Sequence, residues 1–268
     1  MIGNIDYHII DKCNLNCASC NHFSSLVPSS DKGKSIEQIT ADLTLLSKIK
    51  NEFDALTLLG GEPTLHPQLS KILRIAREIL PKNHINLVTN GTTYNKILQW
   101  KDALIESNVE VTVSLYPYCN DYIERTKKII DTLSPEVKVY TEGNPIECGF
   151  GYGFFSNRNN VASEYEIMNC MRRFYCPQLK NGKLYLCHFL AQFNRLKDYF
   201  GDEIKFDLDG KEYLNLNGEV TAKDFYDFIY GAYPDACNHC VECHDHQDKK
   251  QTRPWAITKK NINEWLID

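Results

Sequence analysis

Residues Cys13–Phe23 read CNLNCASCNHF, only a dozen positions into the chain. Three cysteines fall within eight positions, separated by three residues and then by two. Thiolate-rich ligation without paired histidines favours zinc or an iron–sulfur cluster. A structural zinc site is closed and wants a fourth ligand. His22 could supply one, but its two-residue step from Cys20 is tighter than the usual finger spacing. A four-iron cube held by three cysteines leaves one iron open to a ligand. An open iron is a reactive site.

Outward from this stretch the first half of the chain has a clear rhythm. Short β-branched or apolar runs at Ile5–Ile10, Ala55–Leu59, Ile85–Thr89, Glu110–Leu115 and Val137–Thr141 read as strands. Between them lie amphipathic helical stretches at Ser35–Lys50, Leu69–Leu80, Tyr94–Glu106 and Asp121–Leu133. Strands alternating with helices imply parallel pairing and an α/β sheet or barrel, with the strand C-termini on one face. The non-generic residues fall at those ends. The cysteine stretch follows the first strand, GGEP (Gly60–Pro63) the second, TNG (Thr89–Gly91) the third, and SLYP (Ser114–Pro117) ends the fourth. Together they are expected to line one site.

GGEP indicates what binds there. Two glycines let backbone come close to a ligand, and the Glu62 carboxylate can accept a charge-assisted hydrogen bond from an ammonium. An α-amino acid that chelates iron through its amino and carboxylate groups, its ammonium end held by Gly60, Gly61 and Glu62, suits both motifs.

CxxxCxxC after a first strand, followed about forty residues later by a strand and GGE, resembles the radical S-adenosylmethionine (SAM) superfamily. The resemblance implies a partial (β/α)6 TIM-like barrel, a [4Fe–4S] cluster on Cys13, Cys17 and Cys20, and SAM as co-substrate. It also implies cleavage of SAM to a 5′-deoxyadenosyl radical that takes a hydrogen atom from a substrate carbon. Thr89 and Asn90 lie where the family holds the ribose, though Asn-Gly is also ordinary turn chemistry. Ser114 resembles the family's contact to the SAM ribose or carboxylate, with a capping hydroxyl as the other reading. The family usually has an aromatic residue before the third cysteine, whereas this chain has Ser19. His22 or Phe23 is then available for the adenine contact, against the plainer reading that both pack the loop.

Beyond Thr141 the rhythm stops. Gly143–Phe155 (GNPIECGFGYGFF) mixes glycine with aromatic residues without a period and reads as a loop over the barrel mouth. Cysteines then return at Cys170, Cys176 and Cys187 and again at Cys237, Cys240 and Cys243. Asn181–Gly182 marks a hairpin turn, and Ala222–Tyr230 a helix. This half reads as a small metal-stapled appendage, in which ligands stand in for a core. Its Cys-x11-Gly-x4-Cys and Cys-x2-Cys spacings resemble the SPASM and twitch extensions of the family, which carry auxiliary [4Fe–4S] clusters. One auxiliary cluster is expected, held by four of those six cysteines. The expected domains are 1–160 for the barrel core and 161–268 for the auxiliary part.

Composition narrows the field. With 30 Lys+Arg against 35 Asp+Glu the chain is mildly acidic at −5, which implies no nucleic-acid surface. No apolar run of about 18 residues suggests a membrane span, and the N-terminus lacks a signal-peptide pattern. Eleven cysteines without an export signal favour metal ligation in a reducing cytoplasm over disulfides.

The expected activity is a radical SAM oxidoreductase that dehydrogenates a small polar or sugar-like substrate, fed by a flavodoxin- or ferredoxin-type electron donor. That substrate class is expected because the sequence shows no extension before the first strand, where peptide-modifying members of the resembled family often carry a leader-binding domain. His188, directly after Cys187, is the candidate base. Cys148, in the loop over the mouth, and Cys119 are thiols that could instead return a hydrogen atom to a substrate radical. The competing functions are therefore a radical SAM epimerase, a peptide-modifying maturase and, remotely, a non-enzymatic zinc or iron–sulfur protein.

Overall fold

The structure, a computed structural model, describes residues 2–96, 98–116, 122–143, 149–151, 153–159, 161–241 and 252–267. Five strands, β1 (Ile2–Ile10), β2 (Phe53–Gly60), β3 (His84–Thr89), β4 (Glu110–Ser114) and β5 (Val139–Glu142), pair in parallel in sequence order. Helices α1 (Ile36–Leu46), α2 (Leu69–Ile79), α3 (Leu98–Glu106) and α4 (Tyr122–Leu133) connect them. The strand–helix alternation expected from sequence is the one observed, as an open α/β partial barrel.

The two faces of the sheet differ in chemistry. Ile5, Tyr7, Ile9, Leu56, Leu58, Ile85, Leu87, Val111 and Val113 are buried together with Ile39, Leu43, Leu46, Ile72, Leu73 and Ala76 in one apolar core. The spacing of those helical positions gives α1 and α2 their buried stripes. Ser35 starts α1 by accepting a hydrogen bond from the Gln38 N–H. The opposite, concave face carries Asn4, Asp6, Thr57, Asn86, Thr112 and Ser114. Period-two alternation along each strand makes this division possible.

The chain then adds to the other edge of β1. A short strand, β6 (Gly149–Gly151), and two short helices, α5 (Glu164–Met168) and α6 (Arg172–Tyr175), precede β7 (Gln178–Lys180). β7 runs parallel to β1 and antiparallel to β8 (Lys183–Tyr185). Asn181 and Gly182 take φ of 53° and 71° between them, the left-handed pair of a tight hairpin. After α7 (His188–Phe200), β9 (Tyr213–Asn215) closes the eight-stranded sheet in the order β5-β4-β3-β2-β1-β7-β8-β9. α8 (Ala222–Gly231) covers the expected helical stretch, and β10 (Thr252–Pro254) pairs antiparallel with β6. The cysteine-rich half thus continues the barrel sheet.

Two features lie outside the sequence expectations. Phe154 and Phe155, at the end of the glycine-aromatic segment, are buried against Phe189, Phe193 and Phe206 at ring separations of 4.8–5.8 Å. The C-terminal segment straps the cysteine loop: Ala18 N–H donates to Ala256 O at 2.8 Å, Thr258 N–H to Asn16 O at 2.8 Å and Trp265 Nε1 to Cys20 O at 3.0 Å. Among the described residues no helix is long and apolar enough to cross a membrane.

Asp42 on α1 joins the two halves of the sheet. Its carboxylate accepts from Tyr7 Oη at 2.8 Å and from the Gly182 N–H at 2.7 Å, and pairs with Lys34 at 3.3 Å. Asp42→Ala strands buried donors from both halves. The variant is expected to be less stable by about 2–4 kcal/mol, read as a lower thermal midpoint, whereas an unchanged midpoint would show that the hairpin docks without it.

Candidate active site

Cys13, Cys17 and Cys20 line a cavity of about 780 Å³ that also meets the C-terminal ends of β2, β3 and β4 at Gly60, Gly61, Thr89, Asn90 and Ser114. The sulfurs are supplied with donors. Cys13 Sγ faces Leu15 N–H at 3.4 Å and Asn90 Nδ2 at 3.6 Å, and Cys17 Sγ accepts from Trp255 Nε1 at 3.2 Å. Burial pushes the Cys13 thiol up, and Glu62, Cys20 and Cys17 add to the effect. Three cysteine sulfurs gathered at one cavity wall with N–H donors beside them are a donor set that suits an iron–sulfur core with one open corner.

The glycines of GGEP are required by their own chain. A Cβ on Gly60 would lie 1.9 Å from Ile10 O, and one on Gly61 2.2 Å from Lys12 O. Gly61 and Glu62 N–H groups donate to those same carbonyls at 3.0 and 2.9 Å. The second loop is thereby laid flat against the end of β1 where the cysteines begin.

Glu62 is held within the protein. It is fully buried, and its carboxylate already holds four donors. Oε1 accepts from Thr64 N–H at 3.1 Å, from Thr89 Oγ1 at 2.7 Å and from Thr64 Oγ1, while Oε2 accepts from Asn90 N–H at 2.7 Å. Burial still raises its carboxyl above the usual range. The carboxylate pins the β2 and β3 ends together, while Gly60 and Gly61 line the cavity.

Thr89 and Asn90 both reach the cavity, and Asn90 also bonds Asn14 Oδ1 at 3.0 Å. Ser19, which stands where the family has an aromatic residue, is buried with φ of 54° and donates its N–H to Glu264 Oε2 at 3.3 Å. Phe23 packs into the core against Phe189, while His22 lines the cavity. Of these two residues, only His22 lines the cavity.

Behind His22, which lines the cavity, stand His8 and Asp11, which sequence reasoning did not single out. His8 and His22 share a 2.9 Å hydrogen bond, and His8 bonds Asp11, which pairs with Arg195. The His188 ring lies 4.8 Å from the His22 ring, and among the described residues neither of its nitrogens has a hydrogen-bond partner. Asp6 points into the same space. Burial pushes its carboxyl up to about 7, against a hydrogen bond from Asn4 and the charge of Arg172. Asn4, Asp6 and His8 alternate with Ile5, Tyr7 and Ile9 along β1, so a polar period of two was the signal available.

The C-terminal cysteines separate into two places. Cys170, Cys187, Cys237 and Cys240 line one small, largely apolar pocket, beside Phe155, Leu186 and Phe189. Burial raises Cys187 and Cys237, and the neighbouring thiols raise them further. Cys176 is not among them. The single turn of α6 carries the chain away from Cys170, and Cys176 lines the main cavity with Asp6 and His188. Cys176, expected from sequence among the auxiliary ligands, thus lines a different space from Cys170, Cys187, Cys237 and Cys240. Cys119, Cys148 and Cys243 lie outside the described residues.

A family model described as the radical SAM superfamily matches residues 7–137. A 7,8-dihydro-6-hydroxymethylpterin dimethyltransferase of Methanocaldococcus jannaschii is 29% identical over 101 residues, which are 36% of this chain and 18% of that protein. This chain therefore matches less than a fifth of that relative's length. Among solved structures, BtrN in complex with AdoMet and 2-DOIA aligns with a TM-score of 0.53 at 14% identity, over 86% of this chain and 83% of that one. Native anSMEcpe with bound AdoMet aligns with a TM-score of 0.40 at 20% identity, over 52% and 43%. The BtrN likeness is one of fold.

Gly60→Ala tests the packing at the first cluster site. The added methyl clashes with backbone that has no flexible end to move. The reconstituted variant is expected to lose the iron bound at Cys13, Cys17 and Cys20, about four atoms per chain, measured against the unaltered protein, and full retention would show that the loop can shift without cost.

Proposed function

We propose, with a radical SAM superfamily domain over residues 7–137 as the premise, that this chain dehydrogenates a small, oxygen-rich substrate with the help of one auxiliary [4Fe–4S] cluster. When bound at Cys13, Cys17 and Cys20, the first cluster supplies the electron that cleaves SAM to methionine and a 5′-deoxyadenosyl radical. A cluster on Cys170, Cys187, Cys237 and Cys240 would supply an acceptor for the second electron of the oxidation. With four protein ligands it has no open corner for a substrate.

The observation that carries this reading is the convergence of those four cysteines on one pocket directly behind the cavity wall. Arg172 lines both spaces, and Cys187 is followed at once by His188, which faces the cavity. Gly60 and Gly61 offer backbone to the amino-acid end of SAM, and Thr89, Asn90 and Ser114 offer polar groups to its ribose and carboxylate. Substrate preference is supported by the barrel interior. Layers of branched aliphatic side chains usually fill such a space, whereas here Asn4, Asp6, Thr57, Asn86 and Thr112 line it. A polyhydroxylated molecule suits that wall better than an apolar one. A flavodoxin- or ferredoxin-type protein is the proposed source of electrons.

Anaerobic reconstitution tests the two-cluster part, with about eight irons expected per chain and about four after Cys237→Ala. An unaltered protein that holds about four irons, with zinc in the remainder, would contradict it. SAM cleavage separates the sites. With dithionite as reductant, Cys237→Ala is expected to keep forming 5′-deoxyadenosine, whereas Cys17→Ala is expected to lose it by at least about a hundredfold. Equal loss in both variants would mean that the four-cysteine site is needed before any radical forms.

A further inference from the structure

We propose that Asp6, Cys176 and His188 form a three-ligand site for a divalent transition-metal ion, zinc above all, inside the substrate cavity. One ligand atom from each lies within 4.8 Å of the other two, and all three side chains line that cavity. They arrive from separate elements. Asp6 stands on the inner face of β1, Cys176 caps the C-terminus of α6, and His188 is the first residue of α7. A carboxylate, a thiolate and an imidazole are the mixed set that borderline-soft ions such as zinc take. Zinc bond lengths place tetrahedral ligand atoms roughly 3.3–3.7 Å apart, so closing on an ion asks for little more than side-chain rotation.

Two observations point to a ligand here. His188 is 2% exposed, and neither ring nitrogen has a hydrogen-bond partner among the described residues. Buried polar atoms are nearly always partnered, and a metal would satisfy one of these nitrogens. Asp6 is 6% exposed, and its side chain is bonded only by Asn4 Nδ2, at Oδ1, among the described residues.

The site is distinct from the four-cysteine pocket, which Cys176, Asp6 and His188 do not line.

Three protein ligands leave an open position toward the cavity, as in catalytic zinc sites. An oxygen of the substrate, from a hydroxyl or carboxylate, would fill it. This deepens the reading of an oxygen-rich substrate and rests on it, and it gives His188 a ligand's role in place of the free base expected from sequence.

Metal analysis of the full-length protein tests the site without any substrate. The anaerobically reconstituted chain is equilibrated with zinc sulfate, passed over a chelating resin and analysed for zinc and iron. About one zinc per chain should remain, and Cys176→Ser and Asp6→Asn should each lower it at least about tenfold with iron unchanged. Absence of zinc from the unaltered protein, or equal retention by both variants, overturns the proposal. So does a loss of iron in Cys176→Ser, which would make Cys176 a cluster ligand. Cys237→Ala keeps the two readings apart. Iron lost with zinc retained supports both, and iron and zinc both retained removes the auxiliary cluster but leaves this site standing. Zinc lost from Cys237→Ala places the ion among the four cysteines and overturns the proposal.

Discussion

The carboxylate of Glu62 is the knot on which the site depends. It is wholly buried and accepts hydrogen bonds from the backbone of two loops and from two threonine hydroxyls. Burial alone would favour its neutral form, and four donors are what make an ionised carboxylate tolerable there. Through Asn90 the knot extends to Cys13 Sγ, and through the Gly61 and Glu62 N–H groups it extends to the end of β1. Three consecutive strand ends are held in one register by a single side chain and by two glycines that admit no Cβ.

Strand alternation supplies the second constraint. The outer faces of β1–β4 are aliphatic and bury against α1 and α2, which leaves the inner face free of any packing duty. That face holds asparagines, threonines and an aspartate around the cavity. Polar groups in a poorly hydrated space interact strongly and are costly when unpaired. They can be kept only where partners or a ligand complete them. His8, His22 and Asp11 are completed by one another and by Arg195. Asp6, Cys176 and His188 are not completed in the same way, and this difference sets them apart from the rest of the wall.

Much of this was legible in the sequence, and the reasons are local. The strand–helix rhythm of residues 5–141 repeats short-range patterns, so strands, helices and the site face followed from periodicity and turn chemistry. Asn181–Gly182 announced its hairpin because left-handed backbone at two successive positions admits few residue pairs. The partition of the C-terminal cysteines was not legible in spacing. Cys170 and Cys176 are six positions apart, and only the turn of α6 sends them to different spaces. Glu62 carried a charge that suggested a ligand contact, and two of its four donors come from Thr89 and Asn90, 27 and 28 residues further on. The strap at Trp255–Trp265 was equally hidden, since its partners lie some 240 residues upstream.

The central claim is that one cavity joins an open three-cysteine cluster to a separate, closed four-cysteine one. Electron paramagnetic resonance of the dithionite-reduced, fully reconstituted protein, recorded with and without SAM, tests it most directly. Two reduced-cluster signals are expected, of which SAM shifts one and leaves the other unmoved, with the shifted signal absent from Cys17→Ala and the unmoved one absent from Cys237→Ala. A single signal, or two signals neither of which responds to SAM, would contradict the account.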